Sequence, residues 1–138
     1  MDTVTAQRRS EMMSKVRGWD TKPELVVRRL VHGMGYRYRL HVAALPGRPD
    51  LVFPSLGKIV FVHGCFWHQH SCKRSARPTS NVAFWEKKLD RNLARDRASA
   101  AALKQEGWSV LVIWECETNN RQKLKRKLSR FLSRPHPS

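Results

Sequence analysis

The chain has 138 residues, of which 27 are lysine or arginine and 11 are aspartate or glutamate, for a formal net charge of +16 at pH 7. That length supports one domain with a real core and is short for two, and 41% hydrophobic with 28% charged residues fits a folded protein in water rather than in lipid. The most apolar stretch, residues 59–67, is far too short to span a bilayer as a helix and contains a histidine. Residues 1–16 lack the apolar segment of a secretory signal, so a cytoplasmic location is expected. So large a positive charge repels itself unless a polyanion is nearby, and nucleic acid is the first candidate; a ribosome-associated or simply basic protein is the competing reading.

Residues 1–20 carry Arg8, Arg9, Lys15 and Arg17 around Met12 and Met13 without a regular period, which suits a basic arm or a plain terminal tail. A helix is expected from Thr21, with Pro23 in its first turn and Glu24 completing a capping box with Thr21. Val27, Leu30, Val31 and Met34 form its apolar face, and Gly33 and Gly35 mark its end. Tyr36, Tyr38, Leu40 and Val42 alternate with Arg37, Arg39 and His41, the pattern of a strand with one wet or DNA-facing side. After a Pro-Gly-Arg-Pro turn come short strands at 51–53 and 58–62, joined as a hairpin through 54–57. A long helix over 82–105 carries Trp85, Leu89, Leu93, Ala100 and Leu103 on one stripe and stops at Gly107. Residues 110–114 read as a strand buried on both faces. A last helix over 121–132 turns Leu124, Leu128, Phe131 and Leu132 inward and a basic face outward. The order helix, three strands, helix, strand, helix describes an α/β protein with a mixed sheet flanked by helices.

Chemistry concentrates between Asp50 and Cys72. A carboxylate at the start of a strand, such as Asp50, suits a hard cation like Mg²⁺, although it could merely end the turn. The carbonyl of Val62 offers a further oxygen ligand. His63 and His68 could contact a phosphate when charged, move a proton when neutral, bind zinc or pack as core. Glu24 is either a helix cap or an acid of the site, and Asp96 either pairs with Arg91, Arg95 and Arg97 or orients a catalytic histidine. Cys65, Cys72 and Cys116 with one histidine would complete a tetrahedral zinc site, with His68 and His70 both available. Phe66, Trp67 and Trp85 could cap a core or wedge between base pairs.

These segments together resemble the very short patch repair (Vsr) endonucleases, bacterial enzymes that nick DNA at T:G mismatches. The resemblance is carried by Leu45-Pro46-Gly47-Arg48-Pro49-Asp50, by Val62-His63-Gly64-Cys65-Phe66-Trp67-His68 with His70 and Cys72, and by Trp114-Glu115-Cys116. It implies a restriction-endonuclease-like fold in which 1–20 is a DNA-contacting arm and 21–138 a single endonuclease domain. It also implies that Asp50 and the Val62 carbonyl hold catalytic Mg²⁺, that His68 with Asp96 activates water, that His63 contacts the scissile phosphate and that Glu24 is an ancillary acid acting through water. Structural Zn²⁺ falls to Cys65, His70, Cys72 and Cys116, and the wedge to Phe66 and Trp67 with Met13, beside an aromatic DNA contact from Trp85. Two departures stand out: Phe61-Val62-His63 replaces the acidic-x-Lys element commoner on this fold, and Val62 stands where the family often has threonine.

The implied activity is Mg²⁺-dependent nicking 5′ to the thymine of T:G mismatches that arise from 5-methylcytosine deamination. The expected partner is duplex DNA carrying that mismatch, with mismatch-repair proteins as further candidates; the enzyme is expected to be a monomer, away from any membrane. The competing readings are a restriction-like nuclease with a different DNA substrate and a zinc-stabilised DNA-binding module without catalysis.

Overall fold

The computed structural model describes residues 21–135, so the arm and Met13 lie outside the described residues. Helix α1 spans Lys22–Gly33, strand β1 Arg39–Leu40, β2 Leu51–Phe53, β3 Lys58–His63, α2 Val82–Gln105, β4 Ser109–Trp114 and α3 Arg121–Ser133. The sheet order is β1-β2-β3-β4, with the first two pairings antiparallel and β3 parallel to β4. A mixed sheet with helices on both faces is the restriction-endonuclease-like arrangement expected. Among the described residues, no helix is long and apolar enough to cross a membrane.

The core has two parts, one on each face of the sheet. On one face α1 and α3 bury Val27, Val31, Leu124 and Leu128 against Leu51, Phe53, Val60 and Ile113. On the other, Leu103 of α2 packs with Val52, Ile59 and Phe61, and Trp108, Val110 and Val112 complete the cluster. The alternation along β2 and β3 therefore feeds both cores, as period-two geometry requires. The β2–β3 hairpin, with Leu51 opposite Val60, turns through a 3₁₀ segment at Pro54–Leu56 and through Gly57, whose φ of 66° is left-handed.

Four details differ from the sequence-based expectations. Thr21 makes no side-chain cap bond, and Glu24 is 2% exposed because its carboxylate is directed into a buried network, so there is no capping box. Gly33 remains helical; the chain turns at Gly35 (φ 91°), and the Tyr36 N–H closes the end on the Val31 carbonyl at 3.1 Å. The alternating segment 36–42 forms only a two-residue strand, ended by His41 at φ 46°. Finally, β4 is covered on both faces but lies at the sheet edge, so only Ile113 within it is fully buried. The long helix has the expected bounds, and its first turn leaves Phe84 exposed.

The end of α3 is fixed by an unusual partner. Lys58, at the start of β3 and 2% exposed, donates from Nζ to the carbonyls of Phe131 (2.5 Å), Leu132 (3.0 Å) and Arg134. A buried cation at a helix C-terminus satisfies carbonyls that have no intrahelical donor and matches the sign of the helix dipole.

Candidate active site and metal centre

The turn before β2 places the first acid. Gly47 (φ 76°) and Arg48 (φ 51°) are both left-handed, and a Cβ on Gly47 would stand 2.7 Å from that of Ser99 on α2. The turn is thus pressed against α2, and Asp50 emerges from it beside β3. There its Oδ2 accepts the Val62 N–H at 2.7 Å. Burial pushes the Asp50 carboxyl up to about 7; the Val62 bond opposes that shift and the neighbouring Glu24 carboxylate adds to it. Positive charge arriving beside such a carboxyl would favour its ionised form.

Glu24, from the first turn of α1, reaches the same corner. Its carboxylate is bound by Arg28 one turn later and by His41 Nε2, which lies 2.9 Å from each carboxylate oxygen. Ligand atoms of Glu24, His41 and Asp50 all lie within 4.8 Å of one another. Sequence reasoning missed Arg28 and His41. The alternation had placed His41 on a wet strand face, and nothing in its spacing indicated that the strand would stop one residue earlier.

The second group comes from the end of β3 and the loop after it. His63 and His68 stack face to face, with ring centroids 3.7 Å apart and planes within 7°. His68 Nδ1 is 2.5 Å from Asp96 Oδ2, in the middle of α2. Burial, with the neighbouring His68, holds His63 down to about 3, against the opposing pull of Asp96. Burial, the larger cause, thus favours the neutral form of His63. A groove of about 1170 Å³ joins both groups, lined by Glu24, His41, Asp50, His63, His68 and Asp96 among others. The acidic corner at Glu24 and Asp50 offers oxygen ligands that suit a hard divalent cation, and the His68–Asp96 corner has the composition of a proton-transfer pair.

Beside this groove, ligand atoms of Cys65, His70, Cys72 and Cys116 also gather within 4.8 Å. His70 Nδ1 lies 3.7 Å from Cys65 Sγ and 3.5 Å from Cys116 Sγ. A zinc tetrahedron with ordinary Zn–S and Zn–N bonds has a sulfur-to-nitrogen edge of about 3.6 Å, so the spacing fits that ion. Burial pushes the Cys65 thiol up to about 12, so a cation is needed to make it a thiolate. The His70 ring stacks on Trp114 at 4.3 Å and 12°, which fixes its orientation. His68 is turned away to Asp96 and takes no part in this zinc-type cluster.

A family model for the DNA mismatch endonuclease Vsr matches residues 1–74. A type II nicking enzyme of Xanthomonas oryzae pv. oryzae, V.XorIIP, is 46% identical over 131 residues, covering 95% of this chain and 96% of that protein. A second, V.NmeAIP of Neisseria meningitidis, is 38% identical, covering 95% and 94% respectively. The DNA mismatch endonuclease Vsr of Escherichia coli is 40% identical over 116 residues, covering 84% of this chain and 74% of its own. The chain belongs to the Vsr DNA mismatch endonuclease family.

As a Vsr-family nuclease it also carries an aromatic cluster that reaches the groove through Trp67. Phe66, Trp67 and Trp85 pack edge to face or tilted, with centroids 5.1–5.9 Å apart. Trp67 is 7% exposed, whereas Phe66 is half-buried. Phe84, which sequence reasoning did not single out, packs on Trp85 at 5.2 Å yet remains 59% exposed. Its signal in the sequence was available: it is an aromatic off the apolar stripe of α2.

Proposed function

We propose that this Vsr-family endonuclease nicks one strand of duplex DNA on the 5′ side of the thymine in a T:G mismatch, the product of 5-methylcytosine deamination. The observation that carries the reading is the pairing, in one groove, of the Asp50 corner with the His68–Asp96 pair. The relative named as a mismatch endonuclease supports the choice of substrate.

Asp50 and the Val62 carbonyl would hold Mg²⁺, with Glu24 acting through water. Bound there, such an ion would supply Lewis-acid chemistry, polarising the phosphodiester and lowering the pKa of the attacking water. His68 directs Nδ1–H to Asp96, which leaves the Nε2 lone pair to take the water proton. Neutral His63 donates a ring N–H to a phosphate oxygen. Water oxygen bonds to phosphorus as the bond to the 3′ oxygen breaks, and that oxygen takes up a proton, leaving 5′-phosphate and 3′-hydroxyl ends. Cys65, His70, Cys72 and Cys116 would hold Zn²⁺, which would tie the histidine loop to the segment after β4 and so fix where His68 points.

Residues 1–20 act as the DNA-contacting arm of a single endonuclease domain over 21–138. Met13 joins Phe66 and Trp67 in the wedge, with Trp85 against the bases beside it. A mismatched step costs less to unstack than a paired one, which gives the wedge its selectivity. Cutting one strand needs one active site, so a monomer suffices, and its substrate places it with the bacterial chromosome in the cytoplasm.

The test compares nicking of T:G, matched and other mismatched duplexes across varied sequence contexts. Preferential nicking of T:G is expected, abolished in Asp50→Ala with DNA binding retained. Equal cutting of matched DNA would point instead to a restriction-like nuclease and overturn the repair assignment.

A further inference from the structure

We infer that His41 is a positioning residue for the active-site carboxylates: together with Arg28 it fixes the Glu24 carboxylate against Asp50, and so sets how tightly this corner takes a divalent cation. The inference rests on the reading above that Asp50 holds that cation.

The backbone gives the first argument. His41 is not a glycine yet has φ 46°, a conformation that β-carbon sterics disfavour and that needs compensation. Its N–H donates to the Asp50 carbonyl at 3.1 Å, continuing the β1–β2 ladder by one bond after the strand has ended at Leu40. The left-handed turn therefore occurs while His41 is pinned to the very residue whose side chain forms the acidic corner.

The side chain gives the second. Its exposure is only 10%, and Nε2 stands 2.9 Å from both Glu24 oxygens, so the proton belongs on Nε2 and is shared by the carboxylate. Arg28 grips the same carboxylate from one helical turn away. Glu24 is 2% exposed and lies beside a second, half-buried acid, an arrangement that repels itself and would relax by protonation or by swinging apart. Two donors from different elements, one on α1 and one after β1, prevent the swing. Glu24 is thereby kept facing Asp50 rather than capping its own helix.

A merely structural tie between α1 and β1 would use the same contacts, so the test must read the cation. Wild type, His41→Ala, His41→Gln and Asp50→Ala, each zinc-loaded, are titrated with Mn²⁺ followed by electron paramagnetic resonance. In parallel, nicking of a T:G duplex is measured against Mg²⁺ concentration, and melting is recorded for each variant. His41→Ala is expected to bind Mn²⁺ about 10-fold more weakly, the cost typical of losing a partner that orients a metal ligand. Its nicking should require correspondingly more Mg²⁺. His41→Gln retains an N–H donor at the same reach and should return both readings to within about 2-fold of wild type. Mn²⁺ binding by His41→Ala equal to wild type overturns the inference, as does a His41→Gln variant no better than His41→Ala. If instead Asp50→Ala still binds Mn²⁺ and nicks, the reading of Asp50 fails, an outcome that the histidine variants cannot mimic.

Discussion

His63 and His68 lie ring on ring, 3.7 Å apart and nearly parallel. Two imidazoles at that distance cannot both be protonated without strong repulsion, so only one of them can carry the working proton. Asp96 decides which: it pairs with His68 at 2.5 Å, while burial keeps His63 neutral. His68→Ala should therefore lower turnover by about 10²–10⁴, the range for a lost general base, while keeping full zinc content. Metal analysis and single-turnover nicking check both parts together; loss of zinc from this variant would mean that the two histidine roles are assigned the wrong way round.

The cysteine cluster makes the opposite prediction. Cys72→Ser leaves three ligands where a closed structural site needs four, so zinc should be released and the melting temperature should fall by roughly 10 °C or more. Unchanged zinc and unchanged melting would rule the site out.

Asp50 carries a stability cost that can be read as pH dependence. Its carboxyl titrates near 7 when folded, against the ordinary 3.8. Between those values the folded chain keeps a proton that the unfolded chain has lost, so stability falls as pH rises through that window. Asp50→Asn can still accept the Val62 N–H and removes this cost. Without added magnesium, it should be more stable than wild type at pH 8, by about 2–4 kcal/mol, and equal to it near pH 4. Thermal melts at the two pH values test this, and an advantage of the same size at both would refute it. Nicking should be abolished throughout.

Lys58 offers a prediction remote from catalysis. Lys58→Met fills the same buried space but leaves the Phe131, Leu132 and Arg134 carbonyls without their donor. A loss of about 2–3 kcal/mol is expected, seen as melting lower by roughly 6–12 °C, with Mg²⁺ dependence of nicking unchanged. A neutral result would show that water replaces the ammonium there.

The sequence by itself determined most of the framework. Short apolar runs at 51–53 and 58–62, helical stripes over 82–105 and 121–132, and the glycines at 57 and 107 are local signals, and each element formed close to where they pointed. The clustering of Cys65, His70 and Cys72 was equally local, and only Cys116 had to be brought from afar. Even so, spacing left His68 and His70 interchangeable as zinc ligands. What separates them is which partner each meets, Asp96 from α2 or the Cys116 thiol and the Trp114 ring from the end of β4. The fate of Glu24 was likewise a tertiary decision. In isolation a glutamate three residues after Thr21 caps its helix; in the fold, Arg28 and His41 outbid that weak, solvent-exposed bond with charged partners in a buried site. His41 itself was illegible, because its role depends on a backbone turn that no periodicity encodes and on two acids that meet only when α1 packs beside the sheet.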